Sequence, residues 1–182
     1  AKQVEVKIGS DLFGMAAGED GWWFVEIHLD GAGIDYAFVI DRGDALPDPR
    51  SPWQPNGIHG PSRTVDHAVF RWTDQQWRAG PLSSATFYEL HVGTFTHEGT
   101  FIAAIDKLDY LADLGVTHIE LMPIAEFSGS RGWGYDGVDL YAPHHFYGGP
   151  DDLKRLVDAC HARGLAVILD VVYNHLGPVG NY

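Results

Sequence analysis

Hydrophobic and polar positions follow two different rules along this chain, and the change falls near residues 73–84. Before it, apolar runs are short and bounded by turn residues. Val4, Val6 and Ile8 alternate with polar neighbours, the period of a half-buried strand. Asp20-Gly21 leads into Trp22–Leu29, Gly31–Gly33 precedes Tyr36–Ile40, and Asp41-Arg42-Gly43-Asp44 ends that strand with a turn signal. Ala68–Trp72 reads as a last strand, and no segment here carries a 3.6-residue apolar period. The pattern predicts an all-β sandwich over residues 1–75, short of its first strand, since about four strands are legible where such sandwiches carry ~7. Between its last two strands, Pro47, Pro49, Pro52 and Pro55 forbid helix and central strand and leave a stiff, extended segment. Residues 76–85, with Gly80-Pro81 and two serines, read as a polar linker.

From Thr86 the pattern alternates strand and helix. Phe87–Val92 reads as a strand. Thr100 caps a helix whose apolar face is Phe101, Ile105, Leu108, Leu111 and Ala112 and which Gly115 ends. Val116–Met122 is the next strand, halted by Pro123, and a long loop rich in glycine and aromatic residues runs from Ile124 to Gly149. Pro150-Asp151-Asp152 opens a second helix with acids at its positive end, and Gly164 closes it. Leu165–Val172 is a third strand, apolar enough to be buried on both faces. Such βα units build a parallel sheet, either doubly wound or closed into a barrel. Gly93-Thr94-Phe95-Thr96-His97-Glu98-Gly99 has neither the dinucleotide nor the P-loop glycine spacing, which favours a barrel over residues 86–182, cut off after its third strand.

Charge narrows the partners. Twelve basic against 25 acidic residues give a net charge of −13, which repels a phosphate backbone, and the basic residues never cluster. No stretch reaches the ~18–20 apolar residues that span a bilayer. The first residues lack an apolar signal core, and Cys160 is the only cysteine, so a reducing cytoplasm is expected and no internal disulfide. Cys160 lies in a helical pattern and is expected to be packed and inert. Six Trp, eight Tyr and nine Phe suit stacking on a neutral sugar, or a well-filled core.

In a barrel, function gathers at the strand C-termini and the loops beyond. Those positions hold Glu89, His91, Glu120, the loop Arg131–Asp136, and Asp170-Val171-Val172-Tyr173-Asn174-His175. Asp170 is a carboxylate in an apolar strand, where a charge must be paired, either by a structural arginine or for function. Trp133 and Tyr135, flanked by glycines, are placed to stack on sugar or to anchor the loop. His144 and His145 are adjacent and expected to point apart, so no metal site is expected there; no Cys/His spacing matches a zinc site. Asn174 is the one residue kept as a calcium-ligand candidate.

Asp170–His175 resembles the first signature region of the α-amylase family of glycoside hydrolases. Trp133-Gly134-Tyr135-Asp136 to Tyr141-Ala142-Pro143 is similar to the preceding loop of isoamylases, branching enzymes and trehalohydrolases. Tyr88–Thr96 with Glu98–Phe101, and Pro47–Ser51 with Gln54–Ser62, resemble the maltooligosyltrehalose trehalohydrolases. The resemblance implies a retaining α-glycosidase acting on maltooligosyl-trehalose or a related α-glucan, without a cofactor. It implies a substrate-binding set of Tyr135, His175, Trp133 and Asp136, with Asp170 and Asn174 behind it. The two carboxyl groups of a retaining site, ~5–5.5 Å apart, belong in this family to later strands, beyond Tyr182. The chain alone is therefore expected to be inactive and to need the rest of the barrel or a completing chain. The alternatives are a glycogen branching or debranching relative, and a non-catalytic glucan-binding module.

Overall fold

The computed structural model describes residues 1–182 apart from Asp30 and Ala32. The turn expected at Gly31–Gly33 therefore lies partly outside the described residues.

The alternating residues Val4–Ile8 form β1, which returns antiparallel as β2 (Asp11–Gly14) through Gly9 at φ +59°, the backbone sign that a two-residue hairpin connection needs. On its other side β1 pairs antiparallel with β5 (Asp35–Ile40), and β5 also carries β6 (Ala45–Leu46) and β7 (Ser62–Arg63). Val6 lies opposite Phe38 and Lys7 opposite Ala37. Residues paired across a ladder share a face, so β1 buries Val4 and Val6 on one side while β5 buries Ala37 and Val39 on the other. A bidentate Arg63–Asp35 pair (2.5 and 2.9 Å) crosses from β7 to β5.

Two expected strands here are different. Of Trp22–Leu29, only β4 (Trp23–Phe24) is paired, against β3 (Ala16–Ala17). The inward alternation of Trp23, Val25 and Ile27 continues, but β3 is two residues long and supplies no further ladder. Ala68–Trp72 is turn and irregular chain. Asp66 accepts the Ala68 N–H (2.9 Å), and Phe70 packs edge-on against Trp72 at 4.8 Å, so local contacts use the groups a strand would offer a neighbour.

The Pro-rich segment is tied down by polar contacts. Tyr36 donates to Asp48 (2.7 Å), Asp48 N–H donates to Ser62 (2.9 Å), and the Ser51 hydroxyl donates to the Trp53 carbonyl (2.8 Å). The connector then docks on the next element rather than running free. Thr73 gives its N–H and its hydroxyl to the Asp158 carboxylate (both 2.8 Å), Asp74 bonds His161 (2.6 Å), and Trp77 stacks on the His161 ring at 3.7 Å.

Both docking partners lie on α4 (Pro150–His161), which begins with proline at its first turn. Gly164 (φ +75°) ends it and frees Leu165 N–H to bond Cys160 O. Cys160 is fully buried, and burial pushes its thiol up to about 12, as an inert packed cysteine requires.

Three parallel strands follow the expected order: β8 (Phe87–Leu90), β9 (His118–Leu121) and β12 (Ala166–Leu169), with β9 in the middle. Each is shorter than the apolar run predicts. After β8 the chain coils at once into α1 (Val92–Phe95). The expected single helix after Thr100 is two, α2 (Phe101–Ile105) and α3 (Leu108–Asp113), tightened at Asp106-Lys107 where the Asp106 N–H reaches back to Ala103 O. The Thr100 cap is present (3.2 Å to Ala103 N–H), and Phe101, Leu108 and Leu111 are fully buried, as the apolar face predicts. In this chain β12 is an outer strand of the sheet, and Leu169 is 46% exposed. The long loop contains a bulged antiparallel hairpin, β10 (Ala125–Phe127) and β11 (Gly137–Pro143).

Two glycines with nearly equal φ separate backbone strain from collision. Gly115 (φ +89°) has open space where a Cβ would go, whereas at Gly134 (φ +91°) a Cβ would overlap the Pro123 carbonyl oxygen. Gly115→Ala should cost about 1–2 kcal/mol, the left-handed backbone penalty alone. Gly134→Ala should cost clearly more in chemical denaturation, and equal losses would show that the 133–136 bend gives way freely.

Candidate active site

The strands β8, β9 and β12 end side by side, and the polar residues beyond them meet around Tyr135. Asp170 lies one residue past β12, still held to the sheet by its N–H on Leu121 O (2.9 Å). It is half-buried rather than enclosed, and its partner is no arginine: the Tyr135 hydroxyl donates to Asp170 Oδ2 at 3.2 Å. Partial desolvation of the phenol, then the charges of Asp170, Glu89 and Glu120, push the Tyr135 pKa above its ordinary value. Glu89 and Glu120 are register partners on neighbouring strands, so both project to one side of the sheet.

His175 Nε2 donates to the Tyr135 carbonyl (2.8 Å). That fixes the tautomer and leaves Nδ1 as an acceptor, which the Asn174 amide fills at 2.9 Å. Tyr135 is therefore held at both its hydroxyl and its backbone. The structure brings together four of the residues expected at the site: Tyr135, Asp170, Asn174 and His175. It does not bring Trp133 and Asp136 to them. Trp133, 75% exposed, and Asp136 line a neighbouring groove with Phe127, Pro178 and Val179.

His91, at the end of β8, supports the same loop from beneath. Its Nε2 donates to the Gly132 carbonyl (2.8 Å) and lies 3.1 Å from the Tyr147 hydroxyl, while Thr94 donates to Nδ1 (3.2 Å).

A second polar cluster lies behind the site, and the sequence did not reveal it. Glu126 on β10 is fully buried; its Oε1 lies 3.2 Å from His144 Nδ1 and 2.8 Å from His145 Nδ1, and its Oε2 accepts the His145 backbone N–H at 2.7 Å. The two histidines do not point apart as expected. Strand alternation stops at Pro143, and a turn closed by Tyr147 N–H on His144 O (2.9 Å) swings both rings onto one carboxylate. Burial raises Glu126 to about 7 and lowers His144 to about 4; burial, then the Glu126 charge, raises Asp139 to about 7. The donors of Glu126, His144 and His145 are close enough together to hold a metal ion. A paired histidine after a strand-ending proline was the available signal, but Glu126 carried none.

No helix among the described residues is long and apolar enough to cross a membrane. Residues 68–182 match the family described as "Alpha amylase, catalytic domain". The whole chain is similar to malto-oligosyltrehalose trehalohydrolase of Arthrobacter ramosus, with 50% identity covering 100% of this chain and 32% of that protein. It is 34% identical to the 1,4-alpha-glucan branching enzyme of Photobacterium profundum over 86% of the chain and 24% of that protein. Among solved structures, a Salmonella typhimurium protein described as an alpha amylase superposes with a TM-score of 0.97 at 49% identity, covering 100% of this chain and 31% of that one. The chain thus spans about a third of the length of these relatives. With the family match covering most of the residues, the chain belongs to the alpha-amylase family.

Proposed function

We propose that this chain is the N-terminal part of a retaining α-glycosidase that releases trehalose from maltooligosyl-trehalose, cutting the adjacent α-1,4 bond. One observation carries the proposal: the chained contacts Asp170–Tyr135–His175–Asn174 at the C-terminal ends of three parallel strands. Similarity at 50% to a trehalohydrolase, against 34% to a branching enzyme, favours trehalose release over glucan branching. Under this reading residues 1–75 are a β-sandwich module, 76–85 a linker, and 86–182 the first three βα units of a (β/α)₈ barrel. The strand order β8-β9-β12, parallel and consecutive, is what the opening third of such a barrel has. Remaining strands, or a completing chain, would pair with the free edges of β8 and β12. The setting is a cytoplasmic one.

The roles divide by exposure and bonding. Tyr135 offers a ring face to the sugar nearest the scissile bond. Asp170 orients it through the hydroxyl, and Asn174 steadies His175. His175 Nδ1 is an acceptor, so a sugar hydroxyl must donate to it and displace the Asn174 amide. Trp133 and Asp136 contact a more distant sugar unit across the neighbouring groove. The nucleophile and the acid/base belong to strands beyond Tyr182, so none of Glu89, Glu120 or Asp170 is given either role. The chain by itself would not hydrolyse glucan.

Product analysis of the full protein with maltooligosyl-trehalose should find free trehalose; new α-1,6 branch points instead would transfer the reading to the branching enzymes. In that protein Tyr135→Ala should lower kcat/KM on the order of 10²-fold, because a misplaced sugar loses its reactive geometry. Tyr135→Phe keeps the ring but loses the Asp170 bond and should cost far less. Equal losses from the two changes would show that the hydroxyl, not the ring face, matters. His175→Ala should lower kcat more than it raises KM if its hydrogen bond strengthens in the transition state. Unchanged kinetics with a lower Tm would leave His175 a purely structural residue.

A further inference from the structure

The boundary between the Pro-rich segment and the β10–β11 hairpin buries two acids, Glu126 and Asp139. Glu126 and Asp139 face each other in the ladder, 0% and 3% exposed. Among the described residues, Glu126 has ion-pair contacts only with His144 and His145, and no lysine or arginine reaches it. The Asp139 Oδ2 atom is buried with no partner. Paired carboxylates in so dry a setting are costly unless a cation or protons offset them.

We propose that Glu126, His144 and His145 form a binding site for a divalent transition metal of the zinc class. Glu126 and the two histidines each offer one ligand atom, all within 4.8 Å of one another, and Nδ1 is the nitrogen that each ring turns to the carboxylate. Two imidazoles and one carboxylate suit Zn²⁺ or Co²⁺, whereas Ca²⁺ and Mg²⁺ call for more oxygen ligands. The ligands are already oriented. His144 is stacked on Phe127 at 3.7 Å, and the Glu126 carboxylate is fixed by the His145 backbone N–H. Gly57 lies against the His145 ring; a Cβ there would be in ordinary contact with its Cε1 at 3.4 Å.

Without metal, the Nδ1 proton of each ring donates to the carboxylate. With metal, each Nδ1 lone pair binds the ion and the proton appears on Nε2, so both rings stay neutral, and any proton held by Glu126 is released to solvent. His144 Nε2 is buried and has no partner, so the shift breaks no bond there but leaves an N–H that needs an acceptor. A groove lined by Asn56, Gly57, His59, Ser128 and Phe146 reaches His145 from solvent. Three protein donors leave the fourth position for a water.

The test uses purified protein stripped with a chelator, titrated with zinc or cobalt(II), and passed through a desalting column. One equivalent should stay bound, and cobalt should give the visible absorption of a four- or five-coordinate site. Glu126→Gln and His145→Asn should each weaken binding by roughly 100-fold or more while circular dichroism is unchanged. No retained metal in the unaltered protein would overturn the proposal. So would undiminished retention in both variants, which would place the ion on exposed histidines such as His28 or His67. Should either variant fail to fold, the cobalt spectrum of the unaltered protein decides, and a weak six-coordinate spectrum overturns the site.

Discussion

Because the register pairs Leu90 with Leu121 and Leu121 with Leu169, the three parallel strands run out at one level, and the loops carrying polar chemistry all leave from there. That alignment is set by backbone hydrogen bonds and by the apolar residues beneath. Phe101, Leu108, Leu111, Leu156 and Leu165 form one cluster that fixes the helices against the sheet. Had any strand slipped by one residue, its side chains would change faces. A slip of β8 would take Glu89, and one of β9 Glu120, off the side on which they act on Tyr135. Polar chemistry at the strand ends is thus positioned by the apolar packing beneath it.

The hairpin β10–β11 ties the site to the rest of the chain. The loop between its strands turns through Gly134 against the Pro123 carbonyl and carries Tyr135, while its trailing end delivers His144 and His145 to Glu126. Trp53 of the Pro-rich segment packs near Gly149, and Gly57 lies over His145. The same hairpin therefore supports the Tyr135 loop on one side and closes on the Pro-rich segment on the other. This gives the run of prolines a physical reason: a stiff segment presents Trp53 and Gly57 without the entropy loss that a flexible loop would incur.

Legibility in the sequence followed the strength of the local signal. Thr100, Gly115, Pro150 and Gly164 bounded their helices because caps and left-handed turns are local chemistry. The three parallel strands were found because their apolar runs are long, yet each was overextended, since an apolar run continues past the last ladder bond into residues that face the strand ends. Trp22–Leu29 and Ala68–Trp72 failed for the opposite reason: strand-like residues without a ladder partner of matching length. The hairpin was missed because β11 buries a glycine and an aspartate along with its apolar residues. Of the site, Tyr135, Asp170, Asn174 and His175 were readable from motif resemblance. That Trp133 turns away from them, and that Glu126 gathers two histidines, are tertiary facts with no local signature.

Holding Tyr135 at two points changes what its ring contributes. A free tyrosine on a glycine-flanked loop would lose side-chain and backbone entropy on meeting a sugar, and that loss would subtract from stacking. Here the hydroxyl is already on Asp170 and the carbonyl already on His175. His91 restrains the loop one step earlier by donating to Gly132 O. The ring plane is therefore set from two strand ends: β8 through His91, and β12 through Asp170 and, further along the same chain, His175. Any displacement among those strands moves the ring, so the same packing that aligns the sheet also sets the orientation of the Tyr135 ring face.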